Sequence, residues 1–170
     1  MYSPTQELFY LQPGEVFVTG QGTTITTVLG SCVAVCMWDP IKKIGGMNHV
    51  VMPRLAEGEE PSTKYGNIAT FILLDMMVKE GSKPSNIQCS VFGGASKLGQ
   101  HEFTQAKLRV GAINIEVTLK VLEHLKMKII AQNVGGERGR KIILNTEDGK
   151  IDMNYLKSFD FSKEIKEIKL

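Results

Sequence analysis

The first half of the chain is a series of short apolar segments separated by glycine-containing turns. Each segment is five or six residues long and rich in β-branched and aromatic side chains. Segments of this length, bounded by turn residues, indicate strands rather than helices. The predicted strands are Glu7–Leu11, Glu15–Thr19, Ile25–Leu29, Val33–Trp38 and Met47–Met52, with turns at Pro13-Gly14, Gly20-Gln21-Gly22, Asp39-Pro40 and Gly45-Gly46.

The second half adds helical periodicity to this pattern. Apolar spacing predicts a largely buried helix from Thr63 to about Glu80. Residues 113–121 are ambiguous, because their alternation fits a strand while their continuation through Leu125 fits a helix. Further strands are predicted at Ile87–Phe92, Lys128–Val134 and Lys141–Asn145, with a hairpin turn at Asp148-Gly149. The expected fold class is α/β, sheet-rich with two main helices.

The length and composition fit one globular domain. The chain has 170 residues, of which 42% are hydrophobic and 22% charged, near ordinary globular usage. We expect a single domain over residues 1–170, with a core of about 14–152 and a C-terminal tail of 153–170. The tail carries apolar Ile165 and Ile168 among alternating Lys and Glu, which predicts a short amphipathic helix.

Charge and cysteine content exclude several functional classes. The net charge of +2 is too balanced for a nucleic-acid binder. Three cysteines, an odd number, favour free thiols in a reducing compartment over a disulfide framework. No Lys or Arg precedes Lys42, and the apolar part of the uncharged stretch Val16–Trp38 is too short to span a bilayer. These features predict a soluble cytoplasmic protein without membrane insertion.

A thiol at a predicted backbone bend is the main candidate for chemistry. Gly30-Ser31-Cys32 joins two predicted strands, and Gly30 is expected to permit an unusual backbone conformation and a close substrate approach. A thiol needs a base to become nucleophilic at neutral pH, and His49 follows on a neighbouring predicted strand. The spacing permits contact between Cys32 and His49. The alternative is that both are core residues, since cysteine often acts as a small buried hydrophobe.

Other candidate sites have weaker patterns. Cys32 and Cys36 would lie about 13 Å apart along a strand, and no second pair completes a zinc set. The glycine-rich stretch 135–140 lacks the ending of a phosphate loop and indicates a turn. No metal or organic cofactor is predicted.

Six short motifs along the chain form a pattern that is typical of one protein family. They are Thr26-x-x-x-Gly30-Ser31-Cys32-Val33-Ala34-Val35-Cys36-x-x-Asp39-Pro40, Gly45-Gly46-Met47-Asn48-His49-x-x-Met52-Pro53, Tyr65-Gly66-x-x-Ala69, Phe92-Gly93-Gly94-Ala95, Gly111-x-x-Asn114 and Gly135-Gly136-Glu137-Arg138-Gly139-Arg140-Lys141. With these motifs the chain resembles the CheD family, the chemoreceptor glutamine deamidases, over about Gly14 to Asp152. The most specific block is the one from Gly30-Ser31-Cys32 to His49. Ile113 departs from the basic or polar residue that the resemblance leads us to expect there, which affects only a peripheral contact.

The resemblance implies a fold, a site and partners. It implies an α/β sandwich with mixed or antiparallel sheets, and a helix after Gly111. It implies Cys32 as the catalytic thiol, His49 as its base and Thr26 as the group that orients the histidine, with Thr27 the neighbouring alternative. The expected oxyanion donors are the Cys32 N–H and one N–H from the Gly30-Ser31 bend. The implied partners are methyl-accepting chemotaxis receptors, as substrate, and the CheC phosphatase.

Two functions of other classes remain open on sequence grounds. The chain could be a receptor- or CheC-binding module without catalysis, or a general cysteine amidase or protease.

Overall fold

The computed structural model describes residues 7–96 and 105–157, with only the backbone of 105–108. These residues form nine strands, two α-helices and a short 3-10 helix at Pro84–Asn86. The elements are β1 (Leu8–Tyr10), β2 (Val16–Thr19), β3 (Thr24–Leu29), β4 (Val33–Asp39), β5 (Ile44–Asn48), α1 (Gly66–Lys79), β6 (Gln88–Gly93), α2 (Gln105–His124), β7 (Lys128–Val134), β8 (Arg140–Asn145) and β9 (Ile151–Tyr155).

Two mixed sheets and one layer of helices build the fold. The first sheet has the order β1-β3-β8-β9, with β1 and β3 parallel and the other neighbours antiparallel. The second has the order β2-β5-β4-β6-β7, with only β6 and β7 parallel. The sheets pack face to face, and α1 and α2 cover the outer face of the second sheet. The predicted α/β sandwich with mixed sheets and two main helices is confirmed.

Alternation along β4 divides the core into two clusters. Successive side chains of a strand point to opposite faces, so Val33, Val35 and Met37 pack under the helices. Ala34 and Cys36 instead face the first sheet, together with partly buried Cys32. A polar side chain can therefore contact Cys32 directly only from this inter-sheet layer. A side chain on the helix-covered face can reach only the backbone near Cys32.

The segment with two possible structures is helical. Helix α2 contains residues 113–121, as the family resemblance implies. Its described buried positions recur at helical spacing, but only three of the six carry apolar side chains, which hides the period from an apolar count. The six are Gly111, Asn114, Val117, Thr118, Val121 and Leu122.

The fifth strand differs from its prediction in position. It spans Ile44–Asn48 rather than Met47–Met52, and Gly45-Gly46 lies inside it instead of forming a turn. The reason is close packing on both faces. A Cβ at Gly46 would lie 2.6 Å from Val18 Cγ2, and one at Gly45 would lie 2.8 Å from Thr146 Cγ2. Glycine here provides space between neighbouring elements.

The C-terminal end of the described chain adds one more strand. After the turn at Asp148-Gly149, β9 returns antiparallel to β8 and extends to Tyr155, slightly past the predicted core boundary. The tail helix predicted from Ser162 lies outside the described residues. In the parts of the chain that the structure describes, no helix is long and apolar enough to cross a membrane.

Packing around Gly46 generates a stability prediction. Gly46→Ala places a methyl group against Val18 and within 2.9 Å of the Phe17 carbonyl oxygen, so we expect a loss of about 1–3 kcal/mol in the free energy of unfolding. Gly20→Ala is the control, because its new Cβ meets its nearest neighbour at 3.4 Å. Urea denaturation measures both. Equal stability of the two variants would contradict the packing argument.

Candidate active site

Cys32 lies in the short connection between the two sheets, directly before β4. Its side chain is half-buried, whereas Cys36 and Cys89 are fully buried. All three are free thiols. Cys32 is therefore the one cysteine with access from solvent.

The backbone around Cys32 is held by three consecutive carbonyl groups. The Gly30 carbonyl accepts a hydrogen bond from the Ala95 amide at 3.0 Å, and the Cys32 carbonyl accepts one from the Gly94 amide at 2.8 Å. Between them, the Ser31 carbonyl accepts a hydrogen bond from Asn114 Nδ2 at 3.0 Å. Each planar peptide unit of the bend is thereby fixed.

The C-terminal end of β6 approaches the Cys32 segment closely enough to form these backbone hydrogen bonds. Gly93 has φ +107, in the left-handed region, and a Cβ there would collide with the Cys32 carbonyl oxygen. A glycine is thus required beside Cys32. Gly30 differs from its expectation, because its backbone is not left-handed. The space around it is open as predicted, since an added Cβ would meet nothing within 4 Å.

The strand register brings His49 to the same face as Cys32. Cys36 pairs with Met47, and the same register continues to a bridge between Val33 and Val50. Extended by one residue beyond this bridge, the register would place Cys32 diagonally across from His49, an arrangement in which Cα atoms are roughly 7–8 Å apart and a long or aromatic side chain can reach its neighbour. His49 is only 2% exposed.

A hydroxyl on the opposite sheet fixes the state of the His49 ring. Thr27 Oγ1 lies 2.7 Å from His49 Nδ1 and also donates a hydrogen bond to the Leu11 carbonyl at 2.8 Å. A hydroxyl has a single proton to donate. Since the carbonyl takes that proton, Nδ1 must carry its own and donate it to Thr27. In the neutral ring Nε2 is then unprotonated and available as a base.

The structure places Thr27, the neighbouring alternative, and not Thr26 beside His49. Thr26 points to the other face of β3, where its hydroxyl donates a hydrogen bond to the Ile142 carbonyl at 3.0 Å. Ile25, Thr27 and Leu29 share the inter-sheet face by strand alternation. The motif contains two adjacent threonines on opposite faces of β3. Which of them lies beside His49 depends on which face of the strand meets the second sheet.

Burial keeps both members of the pair uncharged. It raises the pKa of the Cys32 thiol above its ordinary value and lowers the pKa of His49 to about 4. At neutral pH the resting pair is thus a thiol and a neutral imidazole, not a thiolate and an imidazolium. Burial also raises the pKa of Cys89 to about 12 and that of Cys36 still further.

The sequence did not single out Asn114 for the site. Asn114 is fully buried in α2, and its Nδ2 also donates a hydrogen bond to the Val51 carbonyl at 3.2 Å. One side chain thereby joins the segment that carries Cys32 to the segment that follows His49. The motif Gly111-x-x-Asn114 was the available signal, but it gave no indication of this contact.

A thiol, an imidazole on the same face and a hydroxyl that sets the tautomer of the imidazole are the groups that thiol-dependent acyl transfer requires. Cys32, His49 and Thr27 supply these three groups, which makes this region the candidate site. Among the described residues, no three His, Cys, Asp or Glu side chains gather in a way that could hold a metal ion.

Comparison with known proteins identifies the family. Residues 52–155 match the family model of CheD, described as CheD chemotactic sensory transduction. A "probable chemoreceptor glutamine deamidase CheD" from Trichlorobacter lovleyi is 42% identical over 144 residues, which are 84% of this chain and 87% of that protein. The protein of the same name from Sulfurimonas denitrificans is 37% identical over 152 residues, which are 89% of this chain and 96% of that protein. The chain therefore belongs to the CheD family.

One further relative and one solved structure are also similar to this chain. The "probable chemoreceptor glutamine deamidase CheD 1" from Anaeromyxobacter dehalogenans is 39% identical over 140 residues, 82% of this chain and 80% of that protein. The crystal structure of the hypothetical protein YfiH from Bacillus licheniformis superposes with a TM-score of 0.40 and 16% identity over 69% of this chain and 49% of that one.

The buried neutral His49 generates a pH prediction. An unfolded chain binds a proton on this histidine below its ordinary pKa of 6.5, whereas the folded chain does so only near 4. The stability that His49 contributes is therefore complete above pH 6.5 and lost as the pH falls towards 4, by about 3 kcal/mol. Urea denaturation of wild type and His49→Gln between pH 7 and 4 measures this.

The variant serves as the control for every other group that titrates in this range. The stability difference between wild type and His49→Gln should shrink as the pH falls, because the substituted side chain does not titrate. A difference that stays constant from pH 7 to 4 would contradict the lowered pKa of His49.

Proposed function

We propose that this protein is a cysteine-dependent amidohydrolase that converts glutamine side chains of chemoreceptors to glutamate and releases ammonia. The observation that carries the proposal is the hydrogen-bonded series Leu11 carbonyl, Thr27 hydroxyl and His49 Nδ1, on the inter-sheet face that Cys32 shares. The names of the curated relatives, chemoreceptor glutamine deamidases, supply the substrate class.

The first half of the reaction forms a thioester. His49 Nε2 takes the proton of the Cys32 thiol as sulfur attacks the carboxamide carbon of the glutamine. The carbonyl π electrons move to oxygen and give a tetrahedral oxyanion. When this intermediate collapses, the carbon–nitrogen bond breaks, and protonated His49 donates its proton to the departing ammonia. Thr27 accepts a hydrogen bond from Nδ1 throughout, which stabilises the transient imidazolium.

The second half hydrolyses the thioester. His49, neutral again, takes a proton from a water molecule as the water oxygen attacks the thioester carbon. Collapse breaks the carbon–sulfur bond, and the sulfur regains its proton from His49. The product is a glutamate side chain on the receptor, and each turnover replaces a neutral amide with a negative charge. The chemistry calls for no cofactor, since thiol, imidazole and water supply every transferred proton and bond.

The Ser31 and Cys32 amides are suited to stabilise the oxyanion. Among the described residues, neither N–H donates a hydrogen bond to a protein acceptor. The peptide units that carry them are fixed by the hydrogen bonds to the Gly30 and Ser31 carbonyls. Preorganised donors of this kind contribute about 10²–10³-fold each to the rate.

The proposal also covers location and a second partner. Three free thiols support a reducing cytoplasmic location. CheC phosphatase is proposed as a regulatory partner on the strength of the family resemblance alone. Receptor protein is the proposed substrate in preference to free glutamine.

Substitution of the thiol and its base tests the proposed reaction. Cys32→Ala and His49→Ala should each abolish glutamate formation in a receptor cytoplasmic fragment, followed by mass spectrometry. The double variant should be no slower than either single one, because members of one catalytic unit are strongly non-additive.

Two controls accompany these variants. Cys89→Ala should retain activity, because that thiol is buried in the helix-covered core. Wild-type enzyme offered free glutamine should release ammonia far more slowly than with the receptor fragment. Undiminished deamidation by Cys32→Ala would refute the proposed nucleophile.

The adjacent threonines provide a matched pair. Thr27→Val removes the acceptor of Nδ1–H, so kcat should fall, though by less than the ~10²–10⁴-fold that a general base contributes. Thr26→Val removes only the hydrogen bond to the Ile142 carbonyl and should cost about 1 kcal/mol of stability without changing kcat.

A conservative change sharpens this comparison. Thr27→Ser keeps the hydroxyl and should restore most of the activity lost in Thr27→Val. Deamidation kinetics and urea denaturation of the three variants measure the two effects separately. A larger loss of kcat in Thr26→Val than in Thr27→Val would reverse the assignment.

A further inference from the structure

We infer that Asn114 is a positioning residue that sets the direction of the oxyanion-binding Cys32 N–H by holding the Ser31 carbonyl. This inference rests on the proposed acyl-transfer function of Cys32. Asn114 touches neither the thiol nor the imidazole through any of its hydrogen bonds. It acts through the backbone.

The geometry of one peptide unit carries the argument. The Ser31 carbonyl and the Cys32 N–H belong to the same planar trans peptide, so they point in opposite directions. Asn114 Nδ2 lies 3.0 Å from the Ser31 carbonyl oxygen. While that hydrogen bond exists, the carbonyl points towards α2 and the Cys32 N–H must point away from it. Rotation of this peptide would turn the carbonyl, an acceptor, towards the oxyanion.

No backbone group performs this task at the central peptide. The Gly30 and Cys32 carbonyls on either side are held by the amides of Ala95 and Gly94. At Ser31 the only hydrogen bond to the carbonyl within the described residues comes from the side chain of Asn114. Of the three carbonyl orientations, only that of Ser31 depends on a side chain, so a substitution at Asn114 can change it.

Packing of α2 fixes the Asn114 side chain in turn. Gly111, one turn earlier, approaches so closely that a Cβ there would lie 2.6 Å from the Ala95 carbonyl oxygen. The second hydrogen bond of Nδ2, to the Val51 carbonyl at 3.2 Å, ties it to the segment after His49.

Stability alone does not account for an asparagine at this position. Asn114 is fully buried, yet its Oδ1 has no hydrogen-bond partner among the described residues. A buried acceptor without a partner costs stability. An apolar residue of similar size would avoid that cost, but it would release the Ser31 carbonyl.

The test compares two reactions of the same thiol. Acylation of Cys32 by p-nitrophenyl acetate passes through a tetrahedral oxyanion, whereas alkylation by iodoacetamide displaces iodide and forms none. Asn114→Leu should lower the acylation rate about 10²-fold, the lower end for loss of one oxyanion donor, and leave the alkylation rate near that of wild type. The kcat for receptor deamidation should fall with the acylation rate, while KM stays nearly constant.

Matched variants control for packing and folding. Thr118→Val alters a fully buried residue one turn along the same helix, whose Oγ1 also has no partner among the described residues. It should leave both rates unchanged. Asn114→Ala provides a smaller substitution if Asn114→Leu does not fold, and circular dichroism verifies the native state at the assay temperature. Cys32→Ala gives the background of both reactions.

Each outcome decides the inference. If acylation and alkylation slow down equally in a folded Asn114 variant, the inference is overturned. It is also overturned if the variant is acylated at the wild-type rate. Selective loss of acylation supports it even if wild type deamidates no receptor, in which case only the proposed substrate fails. A wild-type Cys32 that reacts with neither reagent would overturn both proposals.

Discussion

The hydrogen bond between Thr27 and His49 is the contact on which the candidate site depends, because it joins two separate sheets. Thr27 belongs to the first sheet through β3, and His49 follows β5 in the second. Among the described residues the two sheets also meet through apolar packing, which is not directional, and through polar contacts elsewhere, such as the hydrogen bond from Arg140 Nε of β8 to Asn133 Oδ1 of β7. Among these contacts, it is the Thr27 hydroxyl that lies against the His49 ring and sets the rotation and the tautomer of the imidazole. Its 2.7 Å length also requires the sheets to keep a constant separation at this end.

The third layer contributes to the site from the opposite side. Helix α2 lies on the outer face of the second sheet, so its side chains cannot reach the inter-sheet layer directly. Asn114 instead hydrogen-bonds to carbonyls at the strand ends, where β4 begins and where the chain leaves β5. The candidate site thus draws on all three layers, with side chains from the two sheets and backbone orientation from the helix. This explains why Asn114, a buried polar residue, interrupts the apolar face of α2.

Local sequence patterns predicted the strands of this fold well, and they failed where long-range packing decides. β7 was placed correctly over Lys128–Val134, because its composition and turns are local signals. Gly45-Gly46 was assigned to a turn, since the close approach of Val18 and Thr146 cannot be seen from neighbouring residues. The same limit separates Thr26 from Thr27, because adjacent strand residues face opposite ways and the sequence does not say which face meets the second sheet.

The uncharged resting state of the pair has a consequence for selectivity. Since burial raises the pKa of Cys32 and lowers that of His49, formation of the charged pair is unfavourable until a partner supplies compensating dipoles. In the proposed mechanism, the amides of Ser31 and Cys32 would stabilise the oxyanion only of a carbonyl group that is already seated against the bend. A substrate that binds over a wide surface holds its carboxamide there, whereas a small molecule gains little binding energy to do so. Under the proposed mechanism, we therefore expect a protein-borne glutamine to react faster than the free amino acid, even without a specific contact to the α-amino or α-carboxylate group.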